Sequence, residues 1–337
     1  MPAFLAEKIL IILLLAGIPF AFRDLIHKIA PNRMIFSFLV FPFTHSMFFF
    51  FGFFNFCIAI LLFLITLTYW LKHEGYQLQV KQVIILTLLI ALTYFSHIVI
   101  FGTLLIAIAF HLVTGTIMLL LHKTKEFRHI LVQFLQKSLV VLISSVIPLL
   151  LFIYFFYSRP GTREITYISK HELLNFLVSV RPLISLNPVM EGKHTTILAY
   201  LLIAVVIAGI IGFIIRAAKK IMHKTASGEE REQLLPGFHF WWLLSTMFFL
   251  LLLYFYLPDA YGTASYTNLR IEFVFFLLAI AWLSTFRIAW YLGLLAAIAG
   301  LYVNTMLIHY YAPNIRDLGK LAAECNKASE KITPNSL

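Results

Sequence analysis

Apolar residues run along this chain in long blocks, separated by short polar punctuation. A helix needs about 20 mostly apolar residues to cross the ~30 Å hydrocarbon layer of a bilayer. Residues 4–22 form one such block, followed by the polar stretch 23–34. The run 35–71 is too long for one crossing, and Pro42, Thr44 and His45 interrupt it. This predicts an interfacial or re-entrant piece over 35–45 and a helix over 46–71. The run 83–121 is also too long for one straight rod, at ~1.5 Å per residue. Ser96-His97 near its middle predicts a tight helical hairpin with arms 83–96 and 98–121. Further helices are predicted at 138–157, 195–215, 239–257, 271–286 and 288–311. The last two divide at Thr285-Phe286-Arg287. Trp241 and Trp242 read as an interface marker, because Trp is enriched at the membrane boundary.

The expectation is therefore an all-α, polytopic transmembrane bundle of nine spans, with eight to ten compatible with the pattern. Residues 1–311 make one helical domain. Its longest polar connection, 158–194, contains KHELLNFLVSV (170–180), whose apolar spacing predicts a short amphipathic helix lying on the membrane. Residues 312–337 form a polar tail. The N-terminal block lacks the basic start and small-residue cleavage site of a signal peptide, and reads as a retained helix.

Composition agrees with this picture. Of 337 residues 61% are hydrophobic and 12% charged, whereas a soluble domain carries about twice that charge. The net charge of +11 would suggest nucleic acid in a soluble protein. Here the basic residues sit in loops between apolar blocks, so the expected partners are membrane lipids and not nucleic acid. The 26 Lys and Arg residues divide evenly between the two sets of loops that nine spans create. The densest short loops, 122–137 and 216–237, place the N-terminus in the cytoplasm of a cell-membrane protein. The loops 23–45, 158–194 and 258–270, the Ser96-His97 turn and the tail then face outward. Cys57 and Cys325 are far apart in character as well as sequence, which predicts neither a disulfide nor a cysteine metal site.

Polar groups at membrane depth are costly and often functional. His45 and Asn55 lie beside Pro42 and Gly52 in FPFTHSMFFFFGFFNF (41–56). They read as the polar end of a lipid-substrate groove, or as helix-packing groups. His97 at the hairpin tip suits an acid, a base or a phosphate donor, and equally a turn cap. Arg270, entering a helix, could clamp a phosphate or snorkel to the interface. Glu272, two residues on, points elsewhere around that helix. Arg163, Lys170, Arg181 and His194 give the long outer loop a positive character that suits a lipid pyrophosphate, or simple solvation. The chain has no Gly-rich phosphate loop, HExxH, CxxC or GxSxG. No cofactor is implied, and a divalent metal finds no support in the sequence.

Three segments together resemble a known pattern. FPFTHSMFFFFGFFNFCIAILLFLITLTYWLK (41–72) has a Phe-Pro turn, then Gly-Phe-x-Asn-Phe, then a helix ending in Trp. LTYFSHIVIF (92–101) supplies a hydroxyl-His turn, and LPDAYG…LR (257–270) a late outer loop before a helix opening with Arg. In this order they resemble bacterial membrane proteins of the GT-C glycosyltransferase superfamily. The resemblance spans about two-thirds of the chain. It implies transfer of a sugar from a polyprenyl-phosphate donor at the outer face, with a carboxylate of the first outer loop as base. Asp24 is the positional match for that base. His97 would join it in catalysis, and His45, Asn55, Arg163, Arg270 and Glu272 would bind substrate. Members of the superfamily are longer at the N-terminus, where the acidic loop lies. The chain is therefore expected to be the C-terminal part of such an enzyme, or a degenerate member whose activity is open. A second expectation, from a different class, is a non-catalytic membrane protein: a lipid or solute transporter, or an assembly subunit.

Overall fold

The computed structural model describes residues 3–73, 79–122, 126–157, 165–223, 237–261, 265–286 and 289–329. It is an all-α polytopic bundle. Among the described residues nine helical segments are long and apolar enough to cross a membrane, and a tenth apolar helix, Val80–Ser96, is shorter. The count matches the sequence reading but its membership does not.

Helix α1 (Ala3–Ile29) runs past the expected end at residue 22. A 3-10 helix (Pro31–Val40) follows, then the short turns α2 (Phe41–Thr44) and α3 (Met47–Phe50). Together Pro31–Phe50 form a crossing segment. The predicted interfacial piece at 35–45 is thus part of a span, and the predicted helix over 46–71 is broken. Gly52, at φ +75°, turns the chain in a backbone region open chiefly to glycine. Only then does α4 (Phe54–His73) begin. Helices α5 (Val80–Ser96) and α6 (Ile98–Leu121) make the predicted hairpin, with His97 as the single extended residue between them. Next come α7 (Phe127–Tyr157), α8 (Lys170–Ser179), α9 (Pro188–His223) and α10 (Phe238–Tyr256). Then follow α11 (Thr267–Ser284) and α12 (Trp290–Ser329). Helix α9 starts seven residues ahead of the expected 195, and α12 continues as a helix through most of the expected tail. Trp242 faces the bundle interior: it is buried and donates through Nε1 to the Ala107 carbonyl at 2.8 Å.

Side-chain contacts fix which way each segment runs. Gly293 faces Ile35 and Phe36, Gly300 faces Leu39, and the rings of Phe50 and Tyr311 lie 4.1 Å apart. The stretch 35–50 therefore climbs alongside α12 from 293 to 311. Tyr311 in turn bonds the Leu183 carbonyl and Glu191. The end holding Tyr311, Glu191, the α5–α6 turn and the α10–α11 loop is called here the upper end. It also holds a two-residue antiparallel pair, Ile165–Thr166 (β1) with Ala260–Tyr261 (β2). The 3-10 helix starts at the lower end, and so does the chain leaving α1. Residues 23–34 consequently lie at the end opposite the other loops expected to share their side. The extra crossing at 31–50 is the reason.

Helix α11 is the central rod, with 83% of its span buried. Small residues allow close approach elsewhere. At Gly300 a methyl group would sit 2.8 Å from a Leu39 methyl, and at Gly293 3.0 Å from Ile35, so these glycines let α12 close on the 3-10 helix.

Candidate anion site at the upper end

The polar groups of the upper end gather where α11 enters the bundle. Tyr266 takes the left-handed conformation (φ 61°) ahead of the first turn. The Asp259 carbonyl accepts from Thr267 N–H at 3.0 Å, and its Oδ1 accepts from Asn268 N–H at 3.4 Å. Asn268 Nδ2 donates back to the Tyr254 and Leu257 carbonyls. These bonds fix the start of α11, and hence the direction of Arg270 one turn on.

Arg270 is only 8% exposed. Its guanidinium carbon lies 5.6 Å from the centre of the Phe53 ring, 5.9 Å from Phe48 and 6.0 Å from Phe56. Among the described residues no carboxylate lies within ion-pairing distance, the Asp259 carboxylate acts on Arg270 only from further away, and the buried Nε has no hydrogen-bond partner. Cation–π contacts recover part of the lost hydration. They do not offset the cost of a buried charge without a directly paired counter-ion. A cation near a helix N-terminus is also opposed by the helix dipole. A bound anion would offset both penalties in part.

His97 meets the same aromatic wall, its ring edge-on to Phe56 with centroids 5.5 Å apart. It is 8% exposed, and its Nδ1 is buried without a partner. Burial lowers the pKa of this turn residue to about 3 from its ordinary 6.5, with the Arg270 charge acting in the same direction. The folded chain thus holds a neutral ring where the unfolded chain would take up a proton. That contribution to stability is complete above about pH 6.5 and is lost as the pH falls below it. The thermal midpoint should fall between pH 7.5 and 5, and fall less in a His97→Gln variant; equal pH dependence in both would count against a buried neutral His97.

Glu272 is 0% exposed but already occupied. Oε1 accepts from the Arg181 backbone N–H at 3.2 Å, and Oε2 lies 3.2 Å from the Tyr254 hydroxyl, which donates to the Leu173 carbonyl at 2.8 Å. It therefore ties the segment after α8 to α11 and does not oppose Arg270. His45 is at the same end, its Nδ1 3.0 Å from Thr44 Oγ1 and 3.1 Å from Asn304 Oδ1. Asn55 is exposed at the start of α4. Arg163 lies outside the described residues.

Asp24 does not join the group. It is exposed, on the last turns of α1. Gly17 of α1 packs on Leu61 of α4, and both helices descend from the upper end. Counting from Phe56 to Leu61 and from Gly17 to Asp24 gives about 18 Å of descent at 1.5 Å per residue. The positional match had assumed that residues 23–34 turn at the same end as His97.

Three residues that matter here escaped the sequence reading: Asp259, Tyr254 and Glu191. Glu191 accepts from the N–H groups of Ser185, Leu186 and Asn187 and from the Tyr311 hydroxyl. Among the described residues no cluster of three or more His, Cys, Asp or Glu could hold a metal ion.

The fold defines the class: this is a multi-pass, all-α membrane protein. No protein-family model, no curated protein and no solved structure matches the chain.

Proposed function

We propose that the upper end receives the phosphate of a membrane-embedded lipid, and that the protein transfers a sugar from that lipid as the GT-C resemblance implies. The observation that carries the first half is Arg270, a buried cation with three phenyl rings around it and no carboxylate in direct contact, Asp259 acting on it only from a longer distance. Its fork of donors suits a phosphate, and the aromatic wall suits the first carbons of a lipid tail. In this reading Arg270 holds the donor phosphate and the unpartnered His97 nitrogen faces the donor or the acceptor. The acceptor hydroxyl attacks the anomeric carbon as the bond to phosphate breaks. Its proton passes to Asp259, whose carboxyl is raised above its ordinary pKa chiefly by burial, while His97, held neutral, only orients the reacting groups. A polyprenyl-phosphate sugar remains the expected donor, and no nucleic acid is involved.

The lower end carries Lys72, Lys81 and Arg128 in the end turns of α4, α5 and α7. By the positive-inside rule this end faces the cytoplasm of a cell membrane and the site faces outward. The α1 N-terminus then lies outside, in contrast to the orientation expected from nine spans.

The position of Asp24 favours a second reading, a non-catalytic protein that binds or carries the same lipid. A transfer assay separates the two. Purified protein in proteoliposomes, given a radiolabelled polyprenyl-phosphate sugar and a mixture of hydroxyl acceptors, should consume the donor. Intact donor, bound but unconsumed, supports the carrier reading and overturns the transfer reaction.

A further inference from the structure

A second feature lies at the lower end, remote from Arg270. A cleft of about 340 Å³ opens between α6, α7 and the first turn of α10. Its walls are apolar, from Leu112, Leu119, Ile130, Phe134 and Phe238. Gly115 keeps it open: a methyl group there would already touch the Phe238 ring at 3.5 Å, and a longer side chain would enter the space. The rim is polar, with His122 at the end of α6 and Gln133 and Lys137 on successive turns of α7. Gln133 is held by His129, one turn back, at 3.0 Å.

We infer that this cleft holds the headgroup and upper acyl chain of an anionic phospholipid. Two observations argue for that occupant. First, charge: among the described residues, His122 and Lys137 line the rim and Arg128 and His129 lie on the first turns of α7, against a single acid, Glu126. A basic rim beside an apolar slot matches a phosphate above a hydrocarbon chain. Second, access: Ile117 and Leu120 of α6 and Leu131 and Leu135 of α7 are exposed on the flanks of the same two helices. In a membrane protein such side chains face lipid, so an acyl chain reaches the slot sideways without crossing water. The inference does not depend on the function assigned to the upper end.

Native mass spectrometry of the detergent-solubilised full chain tests it, by titration with phosphatidylglycerol or phosphatidylcholine of matched chains. One phosphatidylglycerol should be retained at least tenfold more tightly than phosphatidylcholine. Lys137→Glu, a rim change, and Gly115→Leu, which fills the slot, should each lower retention at least tenfold. Lys72→Glu, at the same end but outside the cleft, should leave it unchanged. Equal retention of the two lipids would overturn the inference, as would an equal loss in Lys72→Glu and Lys137→Glu. Displacement of the lipid by glycerol phosphate alone would also overturn it, since the apolar slot would then contribute nothing.

Discussion

Replacing Arg270 by Met should leave the protein as stable as before, or more stable, while lipid-phosphate binding falls by about 10- to 100-fold. Most buried polar residues behave otherwise, because removing one strands its partners. Arg270 has no hydrogen-bond partner to strand, and its charge acts on the Asp259 carboxylate only at longer range. The substitution loses contacts with Phe48, Phe53 and Phe56, worth roughly 0.5–2 kcal/mol. It also removes a buried charge with no directly paired carboxylate, whose penalty is several kcal/mol and is offset only in part by Asp259. Met matches the stem in length and packs well against aromatic rings. The checks are a thermal midpoint in detergent and the affinity for a short-chain polyprenyl phosphate. A midpoint that falls steeply together with binding would mean that Arg270 holds the fold and is not kept for a ligand.

Glu191 should behave in the opposite way. It is 1% exposed and accepts from three backbone N–H groups and from Tyr311. Glu191→Ala leaves three backbone donors, those of Ser185, Leu186 and Asn187, without this acceptor, while Tyr311 keeps the Leu183 carbonyl. Each such group costs ~1–3 kcal/mol, so a loss of about 3–5 kcal/mol is expected even after the site relaxes. Asn187, which caps the same helix through Val189 and Met190 N–H, should cost only about 1 kcal/mol on replacement by Ala. Chemical unfolding of the two variants in one detergent gives the comparison. Equal, small losses would show that the start of α9 is not organised by the carboxylate.

The all-helical membrane class was legible because length and apolarity decide it directly. The hairpin at His97 was legible for the same reason: a polar pair in the middle of 39 apolar residues leaves few other geometries. The crossing at 31–50 was not. It is built from a 3-10 helix and two single turns, so it rises more per residue than an α-helix and its apolar run looks too short. Misplacing that one segment moved residues 23–34 to the wrong end and made Asp24 look like a partner of His97. Arg270 was singled out in sequence, but snorkelling and clamping remained equal until its aromatic surroundings were visible. Tyr254 gave no local signal, because its partner Leu173 is 81 residues away in the chain; Glu191 caps backbone four to six residues upstream, but its Tyr311 partner lies 120 residues on.

The central claim is that the upper end recognises a phosphate on a lipid. Isothermal titration of the purified protein with farnesyl phosphate and, separately, with farnesol tests it most directly, since the two ligands differ only in the group Arg270 would hold. The account predicts that the phosphate binds at least tenfold more tightly than the alcohol, and that the difference disappears in Arg270→Met. Equal affinity for the two ligands in the unmodified protein would contradict it.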